Sequence, residues 1–403
     1  MMLPRPYWLV SQAMLLLCGT APAWAQVDDT LMLTASYSLH SDSNLFRLPA
    51  SANLSALIGN ASAAEKIGIS TLGFSVNKPY NLQHFELDFN LIDYQYQNFS
   101  YLSFTAHNYN AAWRWSVTPR FHGNITTDRK QTLNSFADFQ NFNERNERTN
   151  TNTRFDGVYE LDGVWRVLGG VSQSAQTNLH PLIGEGDYNV NNADVGLRLD
   201  LASGSSLTQT FKSANGKYLD RVLPSAGLFD DGFKQLDSEL KLHWTISGKS
   251  TVDLSAAHIS RTHPHYTQRD YSGVNTGINL NWNISGKSAL AAGWVRELAS
   301  YQTASINYTQ TDRISIGPIW QVSPKVSIRL GYELALRDYL GSPAGPVASQ
   351  RSDTTRDSIL SFDWQPYRYL AFNASLQSST RASNLPGLDY DSNMVTFTAQ
   401  IRN

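Results

Sequence analysis

Cysteine is nearly absent from this sequence of 403 residues, and the single copy, Cys18, lies close to the N-terminus. Residues 1–25 have the form of a secretory signal peptide, so the mature chain should contain no thiol. A chain without thiols forms no disulfide, no iron–sulfur cluster and no thiolate zinc site. Cys18 would suit a lipoprotein signal, but Leu17 occupies a position where such a signal carries a small residue.

The chain also lacks long apolar runs and an excess of one charge. After residue 25, no apolar run reaches the length of about 18 residues that a transmembrane helix needs. Lys and Arg number 32 against 34 Asp and Glu, which excludes a polybasic nucleic-acid binder, and 41% hydrophobic residues exceeds what disordered chains carry. No G-x-S-x-G elbow, phosphate loop or H-E-x-x-H pattern occurs. We therefore expect no enzyme, no cofactor, no metal site and no nucleic-acid partner.

The first 25 residues predict export. Arg5 supplies a positive charge, Trp8 to Leu17 an apolar core, and Ala23-Trp-Ala25 a cleavage site. The mature chain is expected to begin near Gln26. No composition break or linker divides residues 26–403, which predicts one large domain.

Apolar and polar residues alternate through much of this domain. In Val326–Arg337 every second residue is apolar, and the intervening positions are mostly polar. Leu236–Ile246 and Val274–Ile284 repeat the pattern. A period of two predicts β-strands, and no segment shows sustained helical periodicity.

Alternation alone fits a soluble sandwich or a membrane barrel. Long strands, aromatic residues at strand ends, and short turns alternating with long polar loops favour an outer-membrane barrel. Eight short turns and nine long loops predict an all-β, antiparallel up-and-down barrel of about 18 strands, with 16 as the alternative. The alternation is poorest in Phe121–Thr132 and Leu207–Leu219.

A repeated phrase supports this count. Trp244-Thr-Ile-Ser-Gly-Lys-Ser250 and Trp282-Asn-Ile-Ser-Gly-Lys-Ser288 lie 38 residues apart, and the variant Trp320-Gln-Val-Ser-Pro-Lys325 follows after another 38. Ser-Gly and Ser-Pro are turn dipeptides. The recurrence predicts a periplasmic aromatic girdle rather than ordinary core tryptophans. Its expected members are Trp115, Trp244, Trp282, Trp320 and Trp364.

A barrel of about 16 to 18 strands leaves an aqueous channel. The alternation predicts the following lumen-lining residues: Arg198, Asp200, Asp237, Glu239, Lys241, Asn275, Asn279, Asn281, Arg313, Arg329, Glu333, Arg337 and Asp363. Two interpretations of the cations in this set are open. One is selection of an anionic solute, and the other, which a face of mixed charge favours, is pairing with neighbouring carboxylates. The row Arg329, Glu333 and Arg337 is the strongest candidate for a functional rung.

Three histidines, His258, His263 and His265, lie close together in the sequence. They suggest a metal cluster, a catalytic base, or ordinary loop histidines. The absence of thiolates and of a metal-binding pattern favours loop histidines.

The segment His40–Leu48 contains the phrase D-x-N-[LV]-[FY]-R, formed by Asp42, Asn44, Leu45, Phe46 and Arg47. Together with the S-G-K and S-P-K turns, it resembles the EpsL-type outer-membrane proteins of exosortase (PEP-CTERM)-associated exopolysaccharide clusters. The resemblance implies a barrel in the outer membrane of a Gram-negative bacterium that lets a secreted polysaccharide cross. It also implies periplasmic polymerisation and export partners, and no catalytic residue. Many outer-membrane barrels end in an aromatic residue, whereas this chain ends in Ile401-Arg-Asn403.

An exopolysaccharide export porin is therefore the expected function, with polysaccharide and outer-membrane lipid as partners. Two alternatives remain open. One is a general diffusion porin for small solutes, and the other is a structural or adhesive surface barrel that acts through its long loops.

Overall fold

The computed structural model describes residues 31–138, 143–180, 186–223, 229–303, 305–342 and 350–403. The predicted signal peptide, Cys18 and the cleavage position near Gln26 lie outside the described residues. Within the described ranges, no helix is both long and apolar enough to cross a membrane.

Eighteen strands of 12 to 16 residues make up most of the described chain. They are β1 (Leu31–Asp42), β2 (Glu65–Tyr80), β3 (Gln83–Tyr96), β4 (Phe104–Thr118), β5 (Phe121–Leu133), β6 (Glu147–Glu160), β7 (Trp165–Asn178), β8 (Tyr188–Asp200), β9 (Ser206–Tyr218), β10 (Gly232–Ser247), β11 (Ser250–Thr262), β12 (Tyr271–Asn283), β13 (Ser288–Ser300), β14 (Tyr308–Ser323), β15 (Val326–Leu340), β16 (Ser352–Tyr367), β17 (Leu370–Ser383) and β18 (Tyr390–Arg402). The described helical segments are one short helix, α1 (Leu54–Ile58), and two single 3₁₀ turns, Ser100–Leu102 and Thr267–Arg269.

Each strand pairs antiparallel with its neighbours in the sequence, and β1 pairs with β18, where Ala35 lies opposite Ile401. The sheet therefore closes on itself, which confirms the predicted barrel and its count of eighteen strands. The segments with poor alternation form β5 and β9. The apolar period fails in β5 because its outer face carries Gly123 and Thr127.

Connections of two kinds alternate around the barrel. Eight turns of two to five residues lie at the end where β1 begins and β18 ends, and nine longer loops lie at the other end. We refer to these as the turn end and the loop end. The predicted alternation of short turns with long loops is confirmed.

The tryptophan phrases form a repeated hairpin. Trp244 lies opposite Val252, Ile246 is bulged out of the pairing, and Gly248-Lys249 makes the turn. The lysine carbonyl of one turn then accepts a hydrogen bond from the residue after the next tryptophan. These bonds run from Asn283 N to Lys249 O (2.7 Å), from Gln321 N to Lys287 O (2.7 Å) and from Gln365 N to Lys325 O (2.8 Å). Each turn is thus joined to the following hairpin.

Four of the predicted girdle tryptophans lie at the turn end with rings accessible from outside the barrel. Trp244, Trp282, Trp320 and Trp364 are 43–52% exposed. Trp115 differs, because it is only 8% exposed and packs against Phe121 and Phe155 at ring distances of 5.0 and 5.7 Å. Gly123 on β5 and Gly157 on β6, the next two strands, leave the gap that its ring fills.

Filling that gap should destabilise the barrel. A Cβ at Gly123 would lie 2.0 Å from the carbonyl oxygen of Asp156 and 2.6 Å from Cζ2 of Trp115. We expect Gly123→Val to lower the free energy of unfolding by about 1–3 kcal/mol, since overpacking forces its neighbours to move. Urea unfolding of the refolded barrel in lipid vesicles measures this change.

The matched control is Gly163→Val, because a Cβ at Gly163, in the turn between β6 and β7, meets no atom within 4 Å. Equal unfolding midpoints for the two variants would contradict the packing described for Trp115.

Candidate functional site in the barrel lumen

The two faces of the barrel wall differ in polarity. On β10, the exposed residues Leu236, Leu240 and Trp244 point outward, so the odd-numbered residues of this strand line the enclosed face. Strand pairing extends this assignment around the wall, because directly paired residues share a face. By this register the inner wall includes Arg198, Asp200, Asp237, Glu239, Lys241, Asn275, Asn279, Asn281, Arg313, Arg329, Glu333, Arg337 and Asp363.

Charged residues on this wall are largely paired with opposite charges. Asp200 contacts Arg166 at 2.6 Å and Arg198 at 2.8 Å. Further pairs are Glu239–Lys241 (2.8 Å), Arg313–Glu333 (3.0 Å), Arg329–Asp363 (2.5 Å) and Lys212–Asp237 (3.7 Å). Because each of these cations sits beside a carboxylate, this part of the wall is strongly polar but presents little uncompensated charge.

Sequence reasoning missed one extended ion pair. Arg154 on β6 contacts both carboxylate oxygens of Asp194 on β8, at 2.6 and 3.0 Å, and so reaches across β7. Gly170 on β7 makes this possible, since a Cβ there would lie 2.4 Å from the guanidinium. The sequence does contain a signal for this pair, because Arg154 and Asp156 alternate with the outward-facing Phe155 and therefore face the lumen.

The predicted asparagine row divides into two parts. Asn279 and Asn281 are exposed to the interior of the barrel. Asn275 is used within the wall, because its Oδ1 accepts a hydrogen bond from Leu298 N at 2.8 Å. Asn279 and Asn281 therefore present neutral amides to whatever occupies the bore.

The row Arg329, Glu333 and Arg337 does not form one charged rung. Arg329 pairs with Asp363 and Glu333 with Arg313. Arg337 instead contacts Asp138 in the loop between β5 and β6, at 3.3 Å. Neighbouring members of this row are four positions apart on β15, so they lie about 13 Å from each other along the strand.

At the loop end, apolar side chains fill part of the lumen. One cluster joins the first three long loops to the inner faces of β2, β3 and β4. Its buried members are Leu45, Phe46, Leu48, Ala63, Ile67, Tyr96, Phe99, Leu102, Phe104, Ala106 and Phe136. Phe46 is 1% exposed, and its ring lies 4.8 Å from that of Phe99 and 4.7 Å from that of Phe136. We call this group the loop-end cluster.

The phrase D-x-N-L-F-R holds Phe46 in place. Asp42 accepts hydrogen bonds from Asn44 N (2.9 Å) and Ser392 Oγ (2.6 Å) and pairs with Arg47 (2.8 Å). Asn44 bonds with both the amide and the carbonyl of Leu48. Arg47 adopts a positive φ of 55°, so the chain reverses tightly and turns the Phe46 side chain into the cluster.

The loop between β5 and β6 crosses the bore. Besides the contact between Asp138 and Arg337, Arg381 Nη1 donates to the carbonyl of Ala137 at 2.6 Å. β5 and β15 are eight positions apart in a ring of eighteen, almost diametrically opposed. The loop therefore narrows the channel at the loop end, while the turn end carries no comparable cluster among the described residues.

The three histidines occupy different environments. His258 is exposed on the outer face of β11, whereas His263 is buried beside Asp270. His265 joins two loops: its backbone amide and its Nδ1 contact the Asp230 carboxylate at 2.7 and 3.0 Å. Asp231 brings a third possible metal ligand to within 4.8 Å, but Asp230 is already engaged by His265 and by Tyr266 N. The arrangement works as a link between loops.

The pKa values of this link, which lies in the loops, are shifted. The hydrogen bond to Asp230 raises the pKa of His265. Burial acts to raise the pKa of Asp230, but hydrogen bonds from His265 and two backbone amides outweigh it and lower that pKa to about 2. Burial lowers the pKa of His263.

No family model matches this chain, and neither does any curated protein. Solved structures do resemble it. OccK9 (OpdG) of Pseudomonas aeruginosa is 10% identical, with a TM-score of 0.55 over 94% of this chain and 99% of that one. A BenF-like porin of Pseudomonas fluorescens Pf-5 is 9% identical, with a TM-score of 0.54 over 93% and 99%. OpdK of P. aeruginosa, solved with vanillate, is 11% identical, with a TM-score of 0.52 over 93% and 99%.

At such low identity this likeness concerns the fold. The fold is that of outer-membrane porins, and the closed barrel, its apolar outer face and its aromatic girdle agree with it. The chain is an outer-membrane protein of a Gram-negative bacterium. Since short turns of such barrels face the periplasm, the turn end is periplasmic and the loop end is extracellular.

Removing the Phe46 ring should loosen the narrowing. Phe46→Ala deletes a buried aromatic side chain, a change that costs about 3–5 kcal/mol of packing, so the first three loops should spend time away from the bore. We expect a larger and noisier single-channel current in a planar bilayer. Leu57→Ala is the control, because Leu57 lies in α1 of the same first loop and is 45% exposed. Indistinguishable currents in the two variants would show that the cluster does not limit the channel.

The link between His265 and Asp230 predicts a pH dependence. Because the pKa of His265 is raised in the folded protein, its contribution to the stability of the link is fully present below pH 6.5, the ordinary pKa of histidine. That contribution is lost as the pH rises through the folded-state pKa. Because the pKa of Asp230 is lowered, its contribution to the stability of the link is fully present above pH 3.8, the ordinary pKa of aspartate, and is lost as the pH falls towards 2. The link is therefore strongest between pH 3.8 and 6.5.

NMR titration of the His265 ring measures this shift. We expect a pKa above 6.5 in the wild type and a return towards 6.5 in Asp230→Asn. Asp389→Asn, in the loop before β18, is the control and should leave the titration unchanged. If His265 titrates at the same pH in all three proteins, Asp230 is not its partner.

Proposed function

We propose that this barrel is a channel and that its cargo is a secreted exopolysaccharide. The observation that carries the proposal is the inner wall, where opposite charges pair and Asn279 and Asn281 have exposed side-chain amides. Sugar hydroxyls exchange water for such groups at little net cost, because a hydrogen bond contributes only about 0.5–1.5 kcal/mol after that exchange. Weak contacts repeated along the wall let a polymer leave as well as enter.

The resemblance of the Asp42–Arg47 phrase and the turns to EpsL-type proteins supports the choice of cargo. In such a role, periplasmic polymerisation and export components would deliver the polymer to the turn end. The first three loops and the loop-end cluster would have to move for a chain to pass. The polymer would then leave between the long loops at the cell surface.

Small-solute diffusion is the second candidate. The loop that crosses the bore from β5 towards β15 favours it, since a narrowed channel suits a small molecule. Two of the similar structures hold small carboxylates: OpdK with vanillate, and OccK2 (OpdF) with glucuronate, at 11% identity and a TM-score of 0.51 over 93% of this chain and 96% of that one. A surface barrel acting only through its loops is the third possibility.

Planar-bilayer recording separates these functions. An export channel should conduct ions and be interrupted by added polysaccharide, whereas a diffusion porin should conduct without polymer block. A barrel that does not conduct would refute both transport functions, and the surface barrel acting through its loops would be the remaining candidate. Deleting the gene should remove surface polysaccharide, and normal surface polysaccharide in that strain would refute export.

Substituting the neutral amides tests the wall itself. Asn279→Ala with Asn281→Ala removes two side-chain partners, so each polymer block should shorten by about 2- to 10-fold for each lost bond, given about 0.5–1.5 kcal/mol per bond. The control pair is Asn189→Ala with Asn191→Ala, which makes the same change on the outer face of β8. Equal dwell times in both pairs would mean that these amides do not touch the cargo.

A further inference from the structure

The two ends of the barrel carry opposite charge. The eight turns contain one acid, Asp162, and five cations: Arg120, Lys249, Lys287, Lys325 and Arg368. In the nine long loops the sequence places nine acids, Asp138, Glu144, Glu185, Asp187, Asp220, Asp230, Asp231, Asp270 and Asp389. Five arginines stand against them: Arg47, Arg145, Arg221, Arg269 and Arg351. Counted over these connections alone, the net charge is 5 − 1 = +4 at the periplasmic end and 5 − 9 = −4 at the extracellular end, so the potential that they generate falls from the first to the second.

The cations of the turn end are exposed. None of the five makes an ion pair with a carboxylate in the described part of the chain, in contrast to the paired arginines of the lumen wall. Lys325 Nζ contacts only neutral groups, donating to the carbonyl of Pro366 at 2.7 Å and lying 5.8 Å from the Tyr367 ring. Among the described residues, exposed positive charge without a carboxylate partner is thus available at the periplasmic mouth.

These cations are held in a regular arrangement. The carbonyls of Lys249, Lys287 and Lys325 each accept a hydrogen bond from the next hairpin, which fixes one turn relative to another. Neighbouring turns are two strands apart, so successive cations lie roughly 10 Å from each other. With Lys78 and Arg402 at strand ends, the series runs from the β10–β11 turn through β18 to the β4–β5 turn. We call it the basic arc. Its gap, at β6–β9, contains Asp162.

We propose that the basic arc captures an anionic polysaccharide at the periplasmic mouth, so that the cargo carries negatively charged groups along its length. The inference rests on the proposed export function and names the charge of its cargo. A spacing of roughly 10 Å is close to the Debye length at 0.1 M salt, so the fields of neighbouring cations overlap along the arc. Such a field raises the local concentration of an anion by about 10- to 1,000-fold.

The rest of the barrel differs from the arc in its charge. The ion pairs of the lumen wall neutralise most of its charge, so the wall offers an anionic chain few strong binding sites. The acidic loops at the far end repel such a chain. Electrostatics therefore favour capture at the periplasmic mouth, and the export components of the proposed function must supply the work that moves the chain outward.

Polymer block of the intact barrel in a phosphatidylcholine bilayer tests this proposal. Polygalacturonate and dextran of equal length serve as the anionic and neutral probes, added to each side in turn at 0.1 M salt. We expect polygalacturonate to block from the turn end at about tenfold lower concentration than dextran. The variant Lys249→Glu, Lys287→Glu, Lys325→Glu should lose this preference while retaining dextran block, and so should the wild type at 1 M salt.

The matched control is Lys66→Glu, Lys217→Glu, Lys234→Glu, which makes the same change in net charge at exposed positions near the loop end. It should keep the preference. Equal block of the wild type by both polymers would overturn the proposal and leave the export function standing. A preference that survives reversal of the arc would overturn it too, and would assign the arc to lipid headgroups or an acidic protein. Block by neither polymer would refute the export function itself.

Discussion

A bilayer offers no water to the backbone, and the rest of this structure depends on that constraint. A strand in lipid must satisfy every N–H and C=O through its neighbours, so a sheet can span only if it has no free edge. The pairing of β1 with β18 removes the edge. Closure then forces alternate side chains into two different solvents. Lipid selects the apolar face, and the enclosed water permits the charged and amide groups of the other face.

This constraint explains why so much of the architecture is predictable from sequence. Apolar and polar residues alternate in Val326–Arg337 because one face of the strand meets lipid and the other meets water. The tryptophan phrases recur at a fixed interval and mark one membrane boundary. Strand count follows from the turns. Even β5 and β9, where the apolar period fails, belong to the barrel, because a strand flanked by two good strands is held by their backbone hydrogen bonds rather than by its own side chains.

Features that depend on contacts with another strand or a distant loop could not be predicted from the sequence. Trp115 is buried because of glycines on β5 and β6, not because of anything in its own strand. The pair Arg154–Asp194 requires a glycine on the strand between them. Arg337 meets Asp138, 199 positions away, across the bore. Alternation can assign Arg337 to the inner wall, but the loop that reaches it is brought there by the packing of Phe46 and Phe136.

The distribution of charge separates two tasks that a polymer channel must perform. Holding a chain requires uncompensated charge, whereas letting it slide requires that no single position bind it strongly. In this barrel, the exposed cations of the basic arc lie outside the bore on turns joined by hydrogen bonds, and most of the charges inside it are paired. A porin for small anions would gain more from free cations within the bore, where low-dielectric walls concentrate their field. Under the proposed export function, the arc would hold the polymer and the paired arginines of the lumen would let it slide.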